Sequence, residues 1–165
     1  MMDYDFERMS EKHRQGVIDI FNHYISRSFA AFPEATVDYP FFDRFLEISR
    51  DYPALVIKAQ TGQIVGFGLM RPYHFADSFK RTGEVAYFIL PEHTRKGLGR
   101  GLLDLIVAEA GVKGIDSLLA AISSHNQASI NFHLQNGFKE CGRFLRVGLK
   151  FGQDFDVVWM QRLLA

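Results

Sequence analysis

Apolar and polar positions alternate along this chain with two periods, and each change of period marks a new element. "YDFERM" near the start reads as a short strand. Ser10 then caps a helix whose apolar positions, Val17, Ile18, Phe21 and Tyr24, are spaced three to four apart. "DYPFFDRFLEISRD" predicts a second helix with Phe42, Phe45, Leu46 and Ile48 inward. "ALVIKA" and "QIVGFGLM" are strands joined by a tight turn at Thr61-Gly62. "GEVAYFIL" is a third strand of the same run, stopped by Pro91. Leu102, Leu103, Ile106, Val107 and Ala110 then lie on one face of a helix. "SLLAAIS" is continuously apolar, as a strand buried on both faces would be. Asn126 opens a short helix containing Ile130, Phe132 and Leu134, and Gly137 ends it. "FLRVGLKF" and "DVVWMQRLL" are the last two strands. The order β-α-α-β-β-β-α-β-α-β-β predicts an α/β chain with a mixed sheet and helices on both faces. Hairpins dominate the first half and crossovers the second.

No repeat, linker or low-complexity tract interrupts this order, so residues 1–165 are expected to form one domain. At 47% apolar and 23% charged the chain has the composition of an ordinary globule. Its 16 phenylalanines require a core or a pocket rich in rings. Zero net charge argues against nucleic acid as the main ligand. The mixed, acidic start is no signal peptide, and no apolar run is long enough for a membrane span, so a cytoplasmic location is expected. The single cysteine, Cys141, excludes an internal disulfide framework and a cysteine-based zinc cluster. The histidines show no metal-ligand spacing, so no metal is expected.

The most specific local signal is "PEHTRKGLGRGLL", three glycines among Arg95, Lys96 and Arg100 between a strand and a helix. A Walker loop needs Gly-Lys followed by Ser or Thr, and none occurs. The dinucleotide fingerprint fails because its third glycine is one place early and the strand belongs to a meander. What survives is a basic loop at a helix start, where unpaired N–H groups and the dipole favour an anion.

Thr94-Arg95-Lys96-Gly97-Leu98-Gly99 resembles the [Q/R]-x-x-G-x-[G/A] signature of the GCN5-related N-acetyltransferases (GNAT), with Thr94 in place of the leading Gln or Arg. "NQASINFHLQNGF" resembles a second element of that superfamily, with His133 where a tyrosine is usual. "IFNHYI", "GEVAYFILPEHTRKGLGRGLL" and "VGLKFGQDFDVVWMQ" extend the similarity to the phosphinothricin and methionine sulfone/sulfoximine N-acetyltransferases over residues 4 to 162. The resemblance implies a mostly antiparallel, twisted mixed sheet of about seven strands, and acetyl-CoA as co-substrate. It implies transfer of the acetyl group to the primary amine of a small molecule, an amino acid or analogue. Acetylation of a protein N-terminus or lysine and a non-catalytic CoA-binding sensor are the alternatives. A homodimer is expected because that subfamily often dimerises.

The resemblance also implies site residues. Glu84 is expected as the base that takes the amine proton through water, and His133 as the group that protonates the sulfur, orients the acetyl group or binds the acceptor. Arg95, Lys96, Gly97, Leu98, Gly99, Arg100 and Gly101 would clamp the pyrophosphate. The backbone of Phe88, Ile89 and Leu90 would pair with the pantetheine arm and polarise the thioester carbonyl. Asn126 and Ser129 would reach the same arm. Phe32, Tyr73 and His74 are expected on the acceptor side; Tyr73 and His74 stand between the third and fourth strands, where the subfamily carries a tryptophan and basic residues.

Overall fold

A computed structural model describes residues 3–164. A seven-stranded sheet runs in the order β1-β2-β3-β4-β5-β7-β6. Its strands are β1 (Tyr4–Arg8), β2 (Ala54–Ala59), β3 (Ile64–Pro72), β4 (Thr82–Ile89), β5 (Ser117–Ser123), β6 (Lys139–Lys150) and β7 (Gln153–Leu163). Every neighbouring pair is antiparallel except β4 and β5. Helices α1 (Arg14–Arg27) and α2 (Phe42–Ile48) pack on one face, and α3 (Leu98–Val112) and α4 (Gln127–Gln135) on the other. No helix among the described residues is long and apolar enough to cross a membrane.

The expected order of elements is the observed one, and several boundaries move. The second helix is shorter than "DYPFFDRFLEISRD" because Tyr39–Phe41 form a separate turn, capped by the Asp38 carboxylate. β6 starts five residues before "FLRVGLKF", carried past two irregularities in its pairing with β7. Gly62, in the hairpin turn, and Gly137, after α4, have φ of 88° and 85°, a region that favours glycine.

Ser10 begins not the long helix but a short turn at Glu11–His13 that leads into it. Its N–H donates to His13 Nδ1 at 3.0 Å, which leaves the His13 Nε2–H to donate to Glu7 at 3.2 Å. Lys58 on β2 and Lys12 also hold the Glu7 carboxylate. The contacts with Lys58, then Lys12 and His13, bring its pKa from 4.5 to about 2. A depressed carboxylate pKa contributes stability above the unfolded value and loses it as pH falls through the folded one. Glu7→Gln is therefore expected to unfold at lower denaturant than the parent at pH 7. The gap should close as pH falls from 4.5 towards about 2; a gap of constant size would refute the charge account.

Candidate active site

β4 and β5 are paired over three residues only, from Thr82–Ser117 to Glu84–Leu119. Beyond Glu84 the two strands separate. Val85–Ile89 stay bonded to β3, and Ala120–Ser123 to β7. The Leu90 N–H donates to the Val65 carbonyl at 2.8 Å. The two-residue alternation of an antiparallel ladder then turns the main chain of Ala86 and Phe88 to β3, and that of Val85, Tyr87 and Ile89 to the gap. The Ile89 carbonyl is held by the Tyr24 hydroxyl of α1. The N–H groups free to face a ligand in the gap are those of Tyr87 and Ile89. This corrects the expectation for Phe88 and Leu90.

The same alternation assigns the side chains. Val85, Tyr87 and Ile89 pack on the α3 and α4 side, and Phe88 packs among the residues under α1 and α2. Glu84 and Ala86 share the Phe88 face. There Glu84 lines a cavity of about 410 Å³ walled by Phe21, Phe32, Phe41, Phe45, Phe67 and Phe88. The carboxylate is 13% exposed and accepts a 2.7 Å ion-paired bond from Arg71, its cross-strand partner. The cavity and the gap share Ala30, Val85, Ala86, Phe88 and Ala121, so they lie side by side.

The segment after α1 roofs this cavity. Phe29 packs against Phe151 and Phe155, and Phe32 stacks on Phe155 at 5.8 Å. Lys150, fully buried, donates to the carbonyls of Ser28 (2.7 Å) and Ala31 (2.6 Å) from the end of β6. Burial pushes its ammonium pKa down. Lys150→Met would strip one buried and one half-buried carbonyl of a charged donor. A loss of about 3 kcal/mol is expected, read from urea midpoints, with acceptor KM rising more than acetyl-CoA KM. Unchanged midpoints would show that the roof holds without the ammonium.

His133 lies on the opposite wall of the gap, 2% exposed. Its Nδ1 is 2.7 Å from the Ser129 carbonyl, which can only accept, so Nδ1 carries a proton. Burial lowers the imidazole pKa and favours the neutral ring. Nε2 is then an acceptor, and the Tyr87 hydroxyl donates to it at 3.0 Å. Burial pushes the Tyr87 pKa well above the usual phenol value, so this hydroxyl keeps its proton. The Asn126 side chain caps α4 by accepting from the Ser129 N–H at 3.3 Å.

The basic loop ends at the start of α3. The first bond there is from the Gly101 N–H to the Gly97 carbonyl, 3.0 Å, so the N–H groups of Leu98, Gly99 and Arg100 have no helical partner. Arg95 and Gly97 have φ of 60° and 78°, which curls the loop tightly. The glycines differ in purpose. A Cβ at Gly97 would meet nothing, whereas one at Gly99 would press on Phe132 and one at Gly101 on Phe6, both at 3.2 Å. Gly99 and Gly101 thus bring α3 close to α4 and β1. The Arg95 and Arg100 side chains are in solvent, and Lys96 donates to the Tyr4 hydroxyl. Thr94 closes its own turn by donating to the Pro91 carbonyl, so it reaches no further ligand through that proton.

The model of the acetyltransferase (GNAT) family matches residues 17–138. The chain belongs to this family. An L-amino acid N-acyltransferase of Escherichia coli is 33% identical over 147 residues, 88% of this chain and 85% of that protein. An L-methionine sulfoximine/L-methionine sulfone acetyltransferase of Pseudomonas paraeruginosa is 31% identical over 150 residues, 88% of this chain and 86% of the other. A solved acetyltransferase from Salmonella typhimurium, described with its cofactor acetyl-CoA, superposes with a TM-score of 0.90 at 30% identity, covering 99% of this chain and 95% of that one.

As a GNAT member the chain is an N-acetyltransferase with acetyl-CoA as co-substrate, and its residues fit that group. The loop supplies unpaired N–H groups and three cations for a pyrophosphate. The separation of β4 from β5 supplies a strand edge for an amide-bearing arm. Of the expected residues, Glu84 and Phe32 meet at the cavity, and Phe88, Asn126, Ser129 and His133 at the gap. Tyr73 and His74 do not line the cavity. They belong to an aromatic cluster with Phe75 and Phe79 on the β3–β4 connection. Three residues lining the site were not anticipated in these positions, Arg44, Arg71 and Tyr87, nor was Lys150, which holds the roof segment.

Proposed function

We propose that this GNAT member acetylates the primary amine of a small molecule, an amino acid or an analogue of the methionine sulfone and phosphinothricin type. One observation carries the reading. A carboxylate stands in a roofed, ring-walled cavity that lies beside the gap between β4 and β5. A long peptide needs an open groove, whereas a roofed cavity suits a compact acceptor.

Arg95, Lys96, Arg100 and the start of α3 hold the pyrophosphate, and the N–H groups of Tyr87 and Ile89 hold the arm and polarise the carbonyl that is attacked. Acetyl-CoA supplies the activated acetyl group. Glu84 takes a proton from the bound ammonium, directly or through water, which exposes the nitrogen lone pair. The leaving sulfur departs as a thiolate and takes its proton from water on release, not from His133. A neutral His133, with its one proton committed to Ser129, has none to give and instead fixes the phenol. The buried phenol wall also keeps water from the thioester.

The chain is also proposed to work as a homodimer in the cytoplasm. β6 is an edge strand that exposes Phe144, Leu145, Val147 and Leu149, an apolar row that a second copy would cover. The exposed Cys141 thiol suits a reducing compartment.

Free CoA release against the twenty amino acids, methionine sulfone, phosphinothricin and a peptide with N-terminal alanine tests the function. Turnover on one or more free amino acids or analogues, exceeding that on the peptide, is expected. Turnover on the peptide alone would overturn the reading.

A further inference from the structure

The cavity holds three charged side chains, Arg44, Arg71 and Glu84. Arg44 lies over the Phe41 ring, outside hydrogen-bond contact with Glu84. Arg71 contacts Glu84 through a single bond, Nη2 to Oε1 at 2.7 Å, and its side chain is 49% exposed. A guanidinium has five N–H donors. The others on Arg71 have no protein partner among the described residues. A bidentate pair would have locked the two side chains together; this arrangement leaves a planar fork free beside the base.

We infer that Arg71 is the acceptor's carboxylate anchor and that its capture by the acceptor releases Glu84 to act as base. The inference rests on the small-amine reading above. In an α-amino acid the nitrogen and the carboxyl carbon are about 2.5 Å apart, from the standard bond lengths. A zwitterion of that size matches a carboxylate and a guanidinium already in contact. Its carboxylate takes the fork of Arg71, and its ammonium takes the oxygen of Glu84 that Arg71 leaves. The exchange keeps every charge paired at each stage, in a cavity otherwise walled by phenyl rings. An amine with no carboxylate leaves Arg71 on Glu84, and the base stays engaged. Arg71 thus sets specificity for acceptors that carry an anion next to the amine.

The two residues face each other across the β3–β4 hairpin, Arg71 opposite Glu84 in register. Arg71 sits near the exposed end of its strand, so its replacement leaves the core intact. The experiment compares methionine sulfone with its carboxamide, which keeps the amine and side chain and loses the anion. Parent, Arg71→Gln and Arg71→Lys are measured on both. For methionine sulfone, Arg71→Gln is expected to lower kcat/KM by roughly tenfold to a hundredfold, as loss of a charge-assisted contact does, chiefly through KM. Arg71→Lys should recover part of this. For the carboxamide, Arg71→Gln should raise kcat/KM, since it removes the competitor for Glu84. Equal losses on the two acceptors, or none on the sulfone, would overturn the assignment while leaving the small-amine reading in place. A parent enzyme that acetylates neither compound nor any free amino acid would sink both.

Discussion

Glu84→Gln is expected to lower kcat/KM for the amine by about a hundredfold to ten-thousandfold at pH 7, the usual range for loss of a positioned base. The substitution keeps the shape of the side chain and removes only its ability to accept a proton. An ammonium must then lose its proton to bulk water before it can attack. The variant's rate should follow the fraction of free amine, rising about tenfold per pH unit until the amine's own pKa, near the α-amino or lysine range. The deficit against the parent therefore shrinks at alkaline pH. Loss of fold is not a rival account. Glu84's partner Arg71 is half exposed, and pairs of that kind contribute about 1 kcal/mol or less. Parallel profiles for parent and variant from pH 6 to 9 would remove Glu84 from the role of base.

How much of this site can be read from the chain differs from residue to residue. Glu84 could be found from its place ahead of Pro91 in a recognisable stretch, but not its direction. "GEVAYFIL" is apolar on both faces, so alternation alone does not say which side is wet. The packing of Val85, Tyr87 and Ile89 under α3 and α4 decides it, and those contacts arise from residues far along the chain. Arg71 was visible only as a charge at a strand end. The short "ALVIKA"–"QIVGFGLM"–"GEVAYFIL" meander, once its register is known, puts Arg71 opposite Glu84 and makes the pair. Tyr87 looked like one ring in a buried strand, because its partner His133 is 46 residues away. The parting of β4 and β5 has no local signature at all. Pairing over Thr82–Glu84 and separation beyond it depend on how β7 inserts beside β5. Lys150 falls inside the stretch "VGLKFGQDFDVVWMQ", whereas its ammonium works on carbonyls more than a hundred residues earlier.

The glycine loop is legible as an anion site, but the packing of Gly99 against Phe132 and of Gly101 against Phe6 is not. That changes which variant tests it. A Gly99→Glu side chain would push on Phe132 and disturb the seating of α3 on α4, so weak binding would be hard to separate from poor packing. Arg95 and Arg100 carry no such ambiguity, since both side chains are in solvent and Arg100 has only a 3.9 Å contact with Asp104. At a hundredfold excess over its Kd, a ligand that binds only the folded state contributes about 2.7 kcal/mol. For 165 residues that is a Tm rise of roughly 5–10 °C on adding acetyl-CoA. The double variant Arg95→Glu, Arg100→Glu should weaken binding roughly a hundredfold, at about 1.5 kcal/mol or more per charged contact. The same acetyl-CoA concentration then equals Kd and contributes only about 0.4 kcal/mol, a rise of roughly 1 °C. The Tm without ligand should stay close to the parent's, as for other exposed substitutions. A full ligand-induced rise in the double variant would place the pyrophosphate somewhere other than the start of α3. A lowered Tm without ligand would instead show that these cations hold the loop itself.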